Sequence, residues 1–305
     1  MLRQAENRVK IEGILSEIDL ETKTFSKADG TSQEGITGTF TVKVRQEINK
    51  EMKELMIPVH AFSYKLTKSG QPNPAYVSLL KVKEEYKSIA STGSEDEADR
   101  VRITGATIRM NEYYSQDERL ISFPRVNASF VTKIRPEECK PEATFSVEFV
   151  VASGADEIGR DGEPTGRYVV KGILPQYGGK VDVIPFYAES QNVIDAVSQY
   201  WENGATVKAN GRLNFSSRTE TTVQEVDFGE PIEQIRTISV SDLIITGGSQ
   251  TPIDEEFAFD HDEIQSALAE RKARLEAQKD RDKSRVAVKA TPSPSTKAGF
   301  DDLGF

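Results

Sequence analysis

The sequence predicts a mainly β protein made of two similar halves. The main observation is a pattern that occurs twice: the segment from Gly38 to Pro58 returns between Gly166 and Pro185. Glycine and proline are 20 residues apart in the first copy and 19 in the second, and each glycine precedes an aromatic residue by two positions and a lysine by five. Matched spacing is typical of a duplicated domain, and 305 residues are enough for about two domains. The alternative is a chance similarity between two β-rich stretches.

In the first half, strands alternate with polar turns. Apolar side chains recur at alternate positions in stretches that we predict to be strands: 8–15, 39–45, 53–62, 101–110 and 120–134. The polar, Gly-containing stretch at 21–35 is expected to be a loop. A Pro-Asn-Pro loop at 72–74 interrupts the strands, and one helix is predicted over 76–89.

The second half repeats this order. Its predicted strands are 144–152, 168–174, 180–187, 205–215 and 232–245. The pair Gly178-Gly179 predicts a tight hairpin, because both residues can adopt a positive φ. A helix is predicted over 191–201, with Val197 and Trp201 on its apolar side. Long polar loops are expected at 153–163 and between the last two strands.

Each half thus has three strands, a helix and two further strands, an order typical of the OB-fold, a five-stranded Greek-key barrel. We predict two tandem OB-fold-like five-stranded barrels, each with one helix, over residues 1–135 and 136–250. Another small barrel or a sandwich is the alternative. Residues 251–305 are predicted to form an acidic tail, with a charged helix over 262–283 and a disordered Pro/Ser linker at 291–296.

The formal charge of −10 is unevenly distributed along the chain. Residues 1–135 carry 21 basic and 19 acidic side chains, whereas residues 136–250 carry 9 and 18. Binding of phosphates is therefore expected mainly in the first half, with the second half a spacer or a protein-contact domain. No apolar stretch approaches the length of a membrane span, and no apolar signal region begins the chain. We expect a cytoplasmic protein without membrane contact.

Catalytic and metal-binding patterns are not apparent in the sequence. The single cysteine, Cys139, and the two histidines, His60 and His261, have no partners at metal-ligand spacing. A phosphate-binding loop of the G-x-x-x-x-G-K-[ST] type is missing. We therefore expect a protein that is not an enzyme and that binds neither a cofactor nor a metal. Scattered carboxylates leave an enzyme that processes nucleic acids as a third hypothesis.

Aromatic and basic side chains on polar stretches of the first half predict a surface that binds single-stranded nucleic acid. Bases stack on aromatic rings whatever their sequence, and cations contact the phosphates. The candidate rings are Tyr64, Tyr113, Tyr114 and Phe123. The candidate cations are Lys43, Arg45, Lys65, Lys68, Arg102, Arg109 and Arg125. Core packing is the alternative for each ring taken alone.

The last residues of the chain carry a more specific signal. Phe300, Asp301, Asp302, Leu303 and Phe305 follow the Pro/Ser linker. This segment resembles the C-terminal tails of bacterial and phage single-stranded DNA-binding proteins, in which acidic residues precede an apolar pair and a final aromatic residue. Leu303-Gly304 stands where the usual tail has Ile-Pro, and only two acidic residues are present.

The resemblance implies a divergent phage-type member of that family, located in the host cytoplasm if phage-encoded. It further implies that the five tail residues recruit replication, recombination or repair proteins. Together with the candidate surface, this predicts a non-catalytic protein that binds single-stranded DNA. The alternative is a phage structural or adaptor protein whose OB-like domains contact other proteins.

Overall fold

The computed structural model describes residues 2–26, 30–115, 117–159, 161–224 and 232–289, without the side chains of 217–224, 232–239 and 281–289. These residues form a mainly β structure, as predicted. The strands are β1 (Asn7–Ser26), β2 (Ser32–Ile48), β3 (Glu51–Tyr64), β4 (Arg100–Tyr114), β5 (Leu120–Asn127), β6 (Thr132–Ile134), β7 (Glu142–Ile158), β8 (Pro164–Pro175), β9 (Val181–Ala188), β10 (Thr206–Gln224) and β11 (Ile232–Gly248). The helices are α1 (Pro74–Glu85), α2 (Ile89–Thr92), α3 (Gln191–Tyr200) and α4 (His261–Lys289).

Strands β1 to β5 pair in a closed ring, which we call the first ring. The order around it is β1-β2-β3-β5-β4, and β4 pairs again with β1. All neighbours are antiparallel except β3 and β5, which are parallel. Alternate side chains point inward, so that Phe40, Ile57 and Ile108 are fully buried at its centre. The helices α1 and α2 connect β3 to β4.

Strands β7 to β11 form a second ring with the same order of pairing. Around it run β7-β8-β9-β11-β10, and β10 pairs again with β7. The parallel pair is β9 with β11, and α3 connects β9 to β10. Phe149 and Phe186 stack at its centre with ring centroids 4.8 Å apart, and Phe215 is buried with them.

The two rings share one continuous sheet. Residues 7–12 of β1 pair with β7 and residues 9–14 pair with β4, so that β1 belongs to both rings. The buried side chain of Asn7 fixes this junction: its Nδ2 donates to the Ile108 carbonyl at 2.8 Å, and its Oδ1 accepts from the Ile108 amide at 2.9 Å. Gln176 of the second ring donates to the same carbonyl at 3.3 Å. Hydrogen-bonded strands therefore hold the rings against each other.

Several strands extend into stretches predicted to be loops. The β1–β2 hairpin continues to the pair Ser26 and Ser32, β7 reaches Ile158, and β10 reaches Gln224. The extended part of the β1–β2 hairpin is held by backbone pairing, and most of its side chains are exposed. The apolar alternation that marks a half-buried strand is therefore missing there.

Two predicted elements are divided in the structure. The helix predicted over 76–89 ends at Glu85, and a separate short helix begins after Ser88, whose hydroxyl accepts from the Ser91 amide at 3.2 Å. A serine hydroxyl that accepts a hydrogen bond from the backbone favours the start of a helix over its interior, so the predicted helix is divided there. The strand predicted over 120–134 is likewise split, into β5 and β6.

The charged helix α4 packs onto the rings rather than standing free in solvent. Ile264 and Ala267 are buried, and the helix contacts β4 and β9. Arg271 forms an ion pair with Glu112 at the end of β4, and Gln278 donates to the Glu112 carbonyl at 2.9 Å. In the described part of the chain, no helix combines the length and apolar character needed to cross a membrane.

Candidate nucleic-acid interface

A groove of about 740 Å³ lies on the outer face of the first ring, and we call it the first groove. It exists because alternate residues of β3 point outward: Val59 and Ala61 are buried, while His60 and Phe62 face the groove. Its lining residues are Thr37, Gly38, Thr39, His60, Ala61, Phe62, Gly105, Thr107, Arg125, Asn127, Ala128, Ser129 and Phe130. This lining includes one arginine and no carboxylate, so its potential favours an anion.

Arg125 is the cation of the first groove. Its Nη1 donates to Asn111 Oδ1 at 3.2 Å, and its buried Nε has no hydrogen-bond partner within the described residues. Burial lowers the pKa of the guanidinium from its ordinary value; the charge of Arg109 lowers it further, and Asp182 acts in the opposite direction. A guanidinium nevertheless stays charged and presents a planar set of donors. Arg125 is therefore available to a phosphate or to the edge of a base.

His60 and Asn127 add neutral hydrogen-bonding groups beside Arg125. His60 Nδ1 lies 3.2 Å from Thr39 Oγ1. Burial, and then the charge of Arg125, lower the pKa of His60 below its ordinary value of 6.5, so the imidazole is neutral at neutral pH. Asn127 Oδ1 is buried and lacks a partner among the described residues. Both side chains can pair with a base edge.

Exposed aromatic rings border the first groove. Phe62 packs edge-on against Phe25 and Tyr64, with ring centroids 5.3 and 4.9 Å apart, and we call these three residues the aromatic rim. Phe62 is 47% exposed, and Phe130, which also lines the groove, is 58% exposed. Large exposed rings beside a cation that has no carboxylate partner among the described residues suit base stacking. The sequence analysis selected Tyr64 but missed Phe62, which the alternation along β3 places on the same face.

Two of the predicted cations lie outside the groove in an ion-pair cluster. Lys43 Nζ is 2.7 Å from both Glu54 Oε1 and Glu95 Oε1. Arg45 contacts the same two carboxylates, at 3.2 and 3.0 Å. Both basic side chains are thus already neutralised in the folded protein.

Three more of the predicted cations are paired as well. Arg102 forms two hydrogen bonds, of 2.8 and 3.0 Å, to the buried carboxylate of Glu12. This contact holds the pKa of Glu12 below its ordinary value. The remaining pairs are Arg109 with Asp182 at 2.9 Å and Lys65 with Glu34 at 3.1 Å. Lys68 is exposed in the turn after β3.

The other predicted rings lie at the far end of β5. Tyr113 is 41% exposed and packs edge-on against Phe123, with centroids 6.5 Å apart. Tyr114 is partly buried, and Lys279 of α4 lies over its ring, with Nζ 5.8 Å from the centroid. Phe123 precedes Arg125 by two residues and so projects from the same side of β5.

The matching face of the second ring is already neutralised by its own acids. Arg167 contacts Glu157 at 2.6 Å and Asp242 at 2.8 Å, and it stacks over Tyr187 with its guanidinium carbon 4.5 Å from the ring centroid. Tyr187 follows the repeated proline by two residues, as His60 does in the first ring. The two faces therefore differ: among the described residues Arg125 has no carboxylate partner, whereas Arg167 is held by Glu157 and Asp242.

A family model described as YorF matches residues 5–281. The chain belongs to the YorF family. No curated protein sequence matches it. Two solved structures resemble it, the wild type and a deletion variant of the single-stranded DNA binding protein from Thermus aquaticus, each at 10% identity over 83% of this chain. The alignments cover 95% and 97% of those chains, with TM-scores of 0.46 and 0.44. Both scores are low, so the function proposed below rests on the chain's own residues.

Two further features of this YorF family member concern the sequence predictions. Within the described residues, His, Cys, Asp and Glu side chains form no group of three or more that could hold a metal ion. The predicted tail residues Phe300, Asp301, Asp302, Leu303 and Phe305 lie outside the described part of the chain. Their role in binding partners stays a prediction.

Proposed function

We propose that this protein binds single-stranded DNA in the first groove, without catalysing a reaction on it. One observation carries the proposal: Arg125 has no carboxylate partner among the described residues, and it lines a carboxylate-free groove together with the exposed rings of Phe62 and Phe130. A guanidinium without a carboxylate partner keeps donors for an anionic ligand, and it suits the planar acceptor groups of a phosphate or a base edge. Single strands offer such acceptors together with bases that stack on rings.

The order of pairing in the rings supports the same proposal. We infer that each ring is an OB-fold, because three antiparallel strands are followed by a helix and two strands, and the third and fifth strands pair in parallel. OB-folds bind oligonucleotides on the face of their second and third strands. The first groove lies on β2 and β3 of the first ring. We propose residues 1–135 as the main DNA-binding domain and residues 136–250 as the second OB-like domain.

The chemistry of the first groove favours stacking over charge. Arg125 is the one cation that lines it, so few phosphates are neutralised there and the salt dependence of binding should be shallow. Each phosphate contact contributes about 0.7 to the slope of log K against log salt for a single strand. Stacking on Phe62 and Phe130 contributes about 1–3 kcal/mol per base and does not depend on salt. Binding that depends more on stacking than on phosphate contacts also agrees with a chain whose net charge is −10.

The roles of the tail and of the protein in the cell are proposed from the sequence. Segment 300–305 would recruit replication, recombination or repair proteins, as its resemblance to phage-type tails implies. A protein–protein adaptor is the second candidate function, and the neutralised cluster of Lys43, Arg45, Glu54 and Glu95 favours it, because such a surface does not attract phosphates.

Fluorescence anisotropy with a labelled oligothymidylate of about 20 nucleotides tests the proposal. The wild type should bind, and Arg125→Gln should weaken binding about 10- to 100-fold, the effect of a lost charged hydrogen bond. Arg135→Gln removes the same charge from a side chain that is 72% exposed and lies outside the first groove, so this variant should bind like the wild type. A wild type that leaves the oligonucleotide free would favour the adaptor instead.

A further inference from the structure

A second groove of about 430 Å³ lies where the two rings join, and we call it the junction groove. Its floor is built from β1 and β4 of the first ring and β7, β10 and β11 of the second. The residues that line it are Arg8, Val9, Lys10, Thr104, Gly105, Thr144, Phe145, Ser146, Asn210, Gly211 and Thr246. This lining has two cations and no carboxylate, so it too favours an anion.

Two β-bulges shape the junction groove. Val9 of β1 pairs with Ala106 of β4, and Lys10 of β1 pairs with Thr104 of β4. Gly105 is therefore an extra residue in β4. Thr246 is the extra residue in β11, because the residues before and after it pair with two consecutive residues of β10. Bulges bend a strand and re-aim its side chains, and they are frequent beside binding sites. Here both of the extra residues line the same groove.

Gly105 joins the two grooves. It lines the first groove and the junction groove alike. Its φ of +106° lies in the region that favours glycine, and no atom lies within 4 Å of the position that a Cβ would take. The surface is therefore open at this residue, and an extended chain can cross from one groove into the other without an obstructing side chain.

Arg8 is the cation best placed to hold such a chain. It is exposed, and its side chain makes no hydrogen bond or ion pair within the described residues. Lys10, its neighbour on the same face of β1, is paired with Glu142. We propose that the single strand bound in the first groove crosses Gly105 into the junction groove, where Arg8 contacts its phosphates; this rests on the proposed function.

The floor of the junction groove indicates which part of the strand it takes. Thr104, Thr144 and Ser146 are short polar side chains, and the one ring in the lining, Phe145, is buried in the second ring. Without an exposed ring the groove does not offer base stacking. Hydroxyls and an arginine suit the sugar–phosphate backbone, so this segment should be held by charge and the first-groove segment by stacking.

Two oligothymidylates of different length test the path. One of about 6 nucleotides fills the first groove, and one of about 20 reaches the junction groove. Arg8→Gln should leave the affinity for the short oligonucleotide unchanged and lower that for the long one about 3- to 10-fold. Its salt slope for the long one should fall by about 0.7, the contribution of one phosphate. Lys81→Gln, which removes one charge from an exposed site outside both grooves, is the matched control.

A gain of function complements this test. Asn210→Lys adds a cation to the far side of the junction groove and should raise affinity for the long oligonucleotide alone. If Arg8→Gln weakens both lengths equally, or no more than Lys81→Gln does, the strand does not follow this path although it binds. If the wild type binds neither length, the proposed function itself fails.

Discussion

Arg125 and Asn127 are two residues apart on the outward side of β5, and each has a buried polar atom, Nε and Oδ1, without a partner among the described residues. An unsatisfied buried group destabilises a folded protein by about 1–3 kcal/mol. Two of the four such atoms in the described residues belong to side chains that line the first groove, which agrees with a groove organised for a ligand rather than for stability.

Replacing Arg125 should therefore separate stability from binding. Arg125→Met removes a partly buried charge that has no carboxylate bonded to it, so the free energy of unfolding should stay the same or rise by about 1 kcal/mol. Affinity for oligothymidylate should fall at least about tenfold. Urea denaturation and anisotropy measure the two effects. A variant that unfolds more easily and binds DNA normally would give Arg125 a structural role.

The aromatic rim should contribute to binding without contributing to salt dependence. Phe62→Ala is expected to weaken binding by about 1–3 kcal/mol if a base stacks on the ring, with an unchanged slope of log K against log salt. The control is Tyr177→Ala in the second ring, where the ring is 80% exposed and lines none of the grooves described above. Equal losses in both variants would show that exposed rings contribute only unspecifically.

His60 should make stability depend on pH. Its pKa in the folded state lies below 6.5, so as the pH falls through 6.5 the unfolded chain takes up the proton first. Unfolding then becomes easier: the contribution of His60 is complete above 6.5 and is lost as the pH falls toward the folded-state pKa. Urea denaturation between about pH 7 and pH 5.5 should show a shallower decline for His60→Gln than for the wild type.

The same histidine should couple DNA binding to protons. A phosphate of the bound strand beside the imidazole would raise its pKa, so the complex would take up a proton and affinity should rise as the pH falls through the pKa of the bound state. In His60→Gln this part of the pH dependence should disappear, while the general effect of protonated carboxylates remains. An identical pH profile for both proteins would place the strand away from His60.

Arg109 should stabilise the junction between the two rings rather than bind DNA. Its partner Asp182 is buried, and Asp182 Oδ2 also accepts from the Met110 amide at 3.3 Å. Arg109→Gln leaves this carboxylate without its counter-charge, and we expect the free energy of unfolding to fall by about 2 kcal/mol. DNA affinity of the folded variant should change little. A large loss of affinity with unchanged stability would instead support the phosphate contact predicted from sequence.

The order of strands and helices could be predicted from the sequence, because buried strands alternate apolar and polar residues. The equivalence of residues in the repeat could not. Pro58 pairs with Thr41 and Pro185 with Lys171, so Lys171 occupies the place of Thr41 rather than that of Lys43. The glycine, aromatic and lysine residues of the two copies have the same spacing along the chain. Relative to the repeated proline, however, the strand pairing in one hairpin is shifted by two residues from that in the other.

Pairing of the basic residues was only partly accessible from the sequence. Arg45 lies directly opposite Glu54 in the β2–β3 hairpin, a partner that the hairpin register could have shown. Glu95 comes from the segment between α2 and β4, about 50 positions along the chain, and only the folded ring brings it there. Asp182 likewise reaches Arg109 across the two rings. Long-range ion pairs leave no local pattern, so free and paired cations look alike in a sequence.

Photo-cross-linking tests the central claim most directly. A thymidine oligonucleotide with a light-activated base, cross-linked to the full chain and digested, reports by mass spectrometry which peptides touch the bases. Cross-links should fall within β3, at His60 and Phe62, and in the segment 123–130 that carries Arg125 and Phe130, and an excess of unlabelled oligothymidylate should abolish them. Cross-links confined to the second ring, or none above the level of a protein that does not bind DNA, would contradict the account.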